Sequence, residues 1–208
     1  MWLCLRVPAR VAAMTIVHLV HGIHNAQGKS STLGLIPYLK AAGFEVRFPD
    51  YGWIAGLETR IANPIICGSL LPYIQPNDLI VGHSNGCAIA YDLMRRGAKV
   101  AGAIFINGAL EQSISALAPW TDVYFNSGDD ITEAAKIGAA IGLTEKIWGE
   151  MGHAGYDGKD PSIVNINCGA TLGLPAVSGH SDFFTPAKLA AWAPFLIGRI
   201  RAHSLAHA

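Results

Sequence analysis

The stretch Leu79-Ile80-Val81-Gly82-His83-Ser84-Asn85-Gly86 decides how this chain is read. An apolar, β-branched run leads straight into Gly-His-Ser-Asn-Gly, and a segment of helical period over residues 85–96 follows, closed by Gly97. A G-x-S-x-G pattern between a strand and a helix is the nucleophile elbow, a sharp turn that leaves the serine oxygen exposed above the sheet. The flanking glycines are needed because the strand and helix backbones pass close together there. The pentapeptide alone is moderately specific, and the strand before it and the helix after it make it strong. A serine at this place could also serve as an N-cap, but a cap needs neither glycine.

Outward from the elbow, short apolar runs at 15–21, 44–48, 78–83, 100–106, 122–127 and 162–168 alternate with helical segments at 31–42, 57–71, 85–96, 131–141 and 186–202. Pro64 is expected to kink the second of these helices, and Gly43 and Gly97 to cap the first and third. Such alternation builds a parallel sheet covered on both faces. The expected fold is therefore α/β, a three-layer parallel sheet of about six strands with helices on both faces. The short connection between 106 and 122 leaves no room for a cap domain. By contrast, 142–161 and 169–181 read as long, Gly-rich loops bearing His, Tyr, Asp and Ser, a composition typical of functional loops.

Composition sets the outer limits. Of 208 residues, 51% are hydrophobic and only 14% charged, which excludes a disordered chain and a charged coiled coil. The balance of 15 basic and 15 acidic residues provides no field for nucleic acid. No apolar run approaches the roughly 18 residues of a membrane span. Residues 1–14 read as an N-terminal extension, disordered or preceding a true start at Met14, because Pro8, Arg6 and Arg10 interrupt any signal-peptide core. One domain is expected over 15–208. Cys4, Cys67, Cys87 and Cys168 are isolated, which suggests reduced, mostly buried thiols in a cytoplasmic protein, with neither a metal nor another cofactor.

A serine nucleophile needs a base, and the base needs an orienting acid. In a parallel sheet such groups gather at the carboxyl ends of strands. The run at 122–127 ends in Gly128-Asp129-Asp130, and the last strand is followed by the loop carrying His180. Asp129 is the favoured acid; Asp130 is the alternative, or else a cap for the helix at Ile131. His180 is favoured over His153 because it follows the final strand. His21 and His83 read as hydrogen-bonded neighbours of the key turns, His18 as core, and His203 and His207 as a solvated tail. His24, Tyr51, Trp148 and Tyr156 are candidates for lining a substrate pocket.

With His21-Gly22, the Ser84 elbow, Asp129 after a strand and Gly179-His180-Ser181-Asp182 before the last helix, the sequence resembles the α/β-hydrolases over nearly its whole length from Thr15. Their order of nucleophile, acid and histidine is the order found here. The resemblance implies that the backbone N–H groups of Ile23 and Asn85 form an oxyanion hole, and that the chain is a small, lidless form. The expected activity is a serine hydrolase cleaving a carboxylic ester or related acyl bond through an acyl-enzyme, with a small-molecule or lipid-like acyl substrate. Two alternatives stand beside it: a lipase or depolymerase working on an extended or surface-bound ester, and a non-catalytic binding protein of the same fold.

Overall fold

A computed structural model describes residues 15–23, 30–52, 58–132 and 147–206. The expectations for residues 1–14, His24, His207, most of the helix at 131–141 and the start of the loop at 142 lie outside these residues.

Six parallel strands form the sheet: β1 (Ile16–Val20), β2 (Glu45–Arg47), β3 (Leu79–His83), β4 (Gly102–Ile106), β5 (Thr121–Phe125) and β6 (Ile163–Asn167). Their spatial order is β2-β1-β3-β4-β5-β6. The chain thus steps outward from β1 to β2, then returns past β1 to lay down β3. The reversal point lies between β1 and β3, where open α/β sheets place their ligands. Pairing runs Val17 with Leu79 and Val20 with Gly82, so the carboxyl ends of β1 and β3 lie side by side.

Side chains alternate across the sheet with period two. Val20, Ile80, Ala103, Phe105 and Val123 pack under α2 (Thr59–Leu70) and α3 (Asn85–Arg95). Val17, Leu19, Val81, Ile104 and Tyr124 face α1 (Ile36–Ala41) and the last helix, α5 (Pro186–Ala206). Both faces are covered, and for that reason the inner strands β1, β3, β4 and β5 are largely buried, whereas the edge strands β2 and β6 expose Arg47, Asn165 and Asn167. The connection between β4 and β5 is a loop, as expected.

Several local expectations are refined. The turn at 31–35 is a 3-10 helix and α1 begins only at Ile36, because Pro37 has no N–H with which to continue an α-helix from Ser31. α2 runs on through Pro64. α3 ends at Gly97 in a Schellman turn, the Ala98 N–H returning to Leu93 O at 3.0 Å. A short helix, α4 (Met151–Ala154), stands inside what reads in sequence as loop.

His203 is not a solvated tail. α5 extends to Ala206, and the His203 ring stacks on Trp120 at 4.1 Å with its Nε2 3.3 Å from Asp122 Oδ1. Asp122 is fully buried at the amino end of β5, and Arg199 meets both its oxygens, at 2.7 and 2.9 Å. At the same end of the sheet His18 Nε2 lies 2.7 Å from buried Asp78 Oδ2. Removing one partner of a buried pair strands the other charge, so Arg199→Ala is expected to lower the unfolding free energy by roughly 3 kcal/mol in urea titration. Arg47→Ala, which breaks the exposed pair with Glu45, should change it by less than about 0.5 kcal/mol.

Candidate active site

Ser84 directly follows β3 and adopts φ 58°, ψ −129°, a conformation that side-chain-bearing residues avoid. Holding it costs on the order of 1–3 kcal/mol. Three backbone hydrogen bonds hold it there: Ser84 N–H to Ile106 O at 3.2 Å, and Cys87 and Ala109 N–H to Ser84 O at 3.0 and 3.1 Å. The flanking glycines are dictated by contact. A Cβ on Gly86 would lie 2.1 Å from Val20 O, and one on Gly82 2.8 Å from the Cys87 backbone. Although Ser84 occupies the N-cap position of α3, its side chain makes no capping hydrogen bond. The hydroxyl is left for another purpose.

His180 and Asp129 are brought together. His180 Nδ1 lies 2.9 Å from both carboxylate oxygens of Asp129, which is fully buried. A carboxylate only accepts, so Nδ1 is the donor, which in the neutral imidazole places the lone pair on Nε2. Asp130 is exposed, and the capping role expected of it belongs to Asp129, whose Oδ1 accepts the Thr132 N–H at 3.1 Å. One side chain therefore orients the imidazole and starts the next helix. His153 lies on α4 and takes no part in this contact.

The backbone of the histidine loop is anchored by residues that sequence reading passed over. Asn107, which follows β4 directly and has φ 45°, donates from Nδ2 to His180 O at 2.6 Å and to Gly179 O at 3.2 Å. Its Oδ1 accepts from Asn126 Nδ2 at 3.2 Å, at the end of β5. The available signal was positional: both asparagines immediately follow strands, as Ser84 does. His83 adds a third anchor, donating from Nε2 to His180 O at 3.0 Å and accepting from Ser31 Oγ at Nδ1, 3.2 Å away. Its ring lies 4.9 Å from that of His180. Burial, with His180 beside it, pushes the His83 imidazole down to about 3. It stays neutral and acts as a fixed donor.

Two peptide planes beside Ser84 are fixed through their carbonyls. Ser84 O is held as described, and Gly22 O accepts from His21 Nδ1 at 2.8 Å. A trans peptide is planar, so the N–H groups of Asn85 and Ile23 point away from those anchored oxygens. Tyr51 does not stand free as a pocket wall: its ring stacks on His21 at 3.8 Å and its hydroxyl donates to His21 O. Trp148 is buried and donates to the Asn85 side chain. Tyr156 is not part of the site. It is tied to Asn165 of β6, and its hydroxyl accepts from Asp160 before that strand, at the opposite end of the sheet. Burial raises the Cys87 thiol and pushes Cys168 up to about 12, so neither supplies a thiolate near neutral pH.

No protein-family model and no curated protein matches the sequence. Solved structures do. A predicted CIB-like hydrolase from Thermoplasma acidophilum is 14% identical, with TM-score 0.57 over 93% of this chain and 89% of its own. An esterase from Pyrococcus furiosus is 8% identical, with TM-score 0.57 over 90% and 81%. Lipase B of Aspergillus fumigatus is 15% identical, with TM-score 0.56 over 88% of this chain and 51% of its own. Likeness at these identities concerns the backbone, and a hydrolase of the α/β superfamily from Xanthomonas campestris, 14% identical with TM-score 0.52 over 88% of this chain and 98% of its own, shares it. The chain has the α/β-hydrolase fold.

Proposed function

We propose that the protein is a serine hydrolase that cleaves a carboxylic ester or related acyl bond. The observation that carries this reading is His180 Nδ1 held 2.9 Å from both oxygens of buried Asp129, beside a serine turn whose hydroxyl is not spent on capping. Ser84 Oγ attacks the acyl carbonyl while His180 Nε2 takes its proton and returns it to the departing alcohol. Asp129 holds the tautomer that leaves Nε2 basic and stabilises the imidazolium that forms. The N–H groups of Ile23 and Asn85 receive the oxyanion, each such donor being worth about 2.7–4 kcal/mol of transition-state stabilisation. Water then attacks the acyl-enzyme by the reverse sequence of proton transfers. The names of the esterase and lipase neighbours support an ester substrate. No helix among the described residues is long and apolar enough to cross a membrane.

A fluorophosphonate probe should label the protein at Ser84, and Ser84→Ala should abolish both labelling and hydrolysis of p-nitrophenyl esters. Equal labelling of Ser84→Ala would defeat the proposal. Asp129→Asn is expected to lower kcat by about 10⁴-fold, because the amide favours the wrong imidazole tautomer. Asp130→Asn should stay within about twofold of the parent.

The buried imidazoles also set an acid limit. His83 is depressed to about 3, and burial lowers His21 as well, so between the ordinary histidine value and about 3 the unfolded chain binds more protons than the folded one. Stability is therefore full above about pH 6.5 and declines as pH falls toward 3. His83→Gln keeps a donor near the Nε2 position without the titration. Its melting temperature, followed by circular dichroism, should fall less steeply than that of the parent between pH 6.5 and 4. Parallel curves would contradict this assignment.

A further inference from the structure

The side chain of Asn85 has no role in the reaction just described, although it is completely buried one residue from Ser84. It forms a closed ring with Asn63 of α2: Asn63 Nδ2 donates to Asn85 Oδ1 at 2.9 Å, and Asn85 Nδ2 donates to Asn63 Oδ1 at 3.0 Å. Trp148 Nε1 donates to the same Asn85 Oδ1 at 2.8 Å. An indole nitrogen can only donate, so the atom it meets must be the carbonyl oxygen, and this one contact fixes the orientation of both amides. Both lone pairs of Asn85 Oδ1 are then used, and each amide faces the other without strain on its protons.

We infer that Asn63 and Trp148 are positioning residues for the oxyanion hole, acting through the Asn85 side chain to hold the Ser84–Asn85 peptide in register. This rests on the serine-hydrolase reading of the site. From one side, the plane of that peptide is held by Cys87 and Ala109 N–H on Ser84 O. From the other, it is held by the Asn85 Cα, whose χ angles the amide ring and the indole lock. The Asn85 N–H lies between the two constraints. Releasing the outer one loosens the donor while the backbone bonds of Ser84 keep the serine turn formed. Asn63 immediately precedes Pro64, and Trp148 immediately follows Ile147, so α2 and the loop ahead of α4 meet at the first residue of α3. Both segments reach the serine turn through the Asn85 side chain.

A donor that matters in the transition state affects kcat and the binding of tetrahedral mimics together, and leaves ground-state binding alone. The test compares the parent, Trp148→Phe and Asn63→Ala in ester hydrolysis and in inhibition by an alkylboronic acid, which forms a tetrahedral adduct at a serine oxygen. Trp148→Phe removes the indole donor and keeps an aromatic ring at the buried position, though a smaller one. It is expected to lower kcat about tenfold with KM unchanged, less than the 10²-fold or more that outright loss of an oxyanion donor costs. Boronate affinity should fall by the same factor. Asn63→Ala should act in the same direction and more strongly. If Asn63→Ala does not fold, Trp148→Phe alone decides. The inference is overturned if melting temperatures fall while kcat and boronate affinity hold, or if KM rises at constant kcat, which would make these residues substrate contacts. Hydrolysis that survives Ser84→Ala would instead overturn the reading of the site beneath it.

Discussion

The carboxyl end of the sheet depends on one backbone approach, that of the first turn of α3 against the end of β1. Gly86 sits where any side-chain carbon would fall 2.1 Å from Val20 O. Only with that carbon absent can α3 start close enough to the sheet for Ser84 to take its left-handed turn. The same approach sets β1 beside β3, and so brings the His21-Gly22-Ile23 turn next to the serine. The local cost of the turn is met by packing elsewhere: α3 is buried along most of its length between α2 and the sheet.

What the sequence could reveal follows from how local each signal is. The elbow and the apolar strands are contiguous patterns, so their placement could be read directly. Asp129 and His180 stand 51 positions apart, yet strand ends made them legible because the fold gathers those ends together. Asn63, Asn107 and Asn126 escaped notice because an asparagine carries no mark distinguishing a buried anchor from a loop residue. Its role exists only once distant segments meet. Tyr156 misled for the converse reason: an aromatic in a His- and Gly-rich loop looks like a pocket wall, but the loop carries it down along β6. His203 likewise looked like tail, since nothing nearby in sequence announces Trp120 and Asp122 as its partners.

The two ends of the sheet use polar groups in different ways. At the amino ends, Asp78 meets His18 and Asp122 meets Arg199, buried charges answered by close partners. Around Ser84 the supports are amides, peptide groups and imidazoles, with Asp129 the buried carboxylate among them.

That contrast bears on how a proton signal travels through this molecule. Amides have nothing to titrate across the physiological range, so the frame that Asn107 and Asn126 build around the His180 backbone is deaf to acidity. The His180 imidazole is thus mounted on groups that stay uncharged near neutral pH, His83 included. Under the proposed mechanism, chemistry and architecture are thereby kept apart: the proton passes through His180 Nε2 while the histidine loop is held by groups that keep theirs.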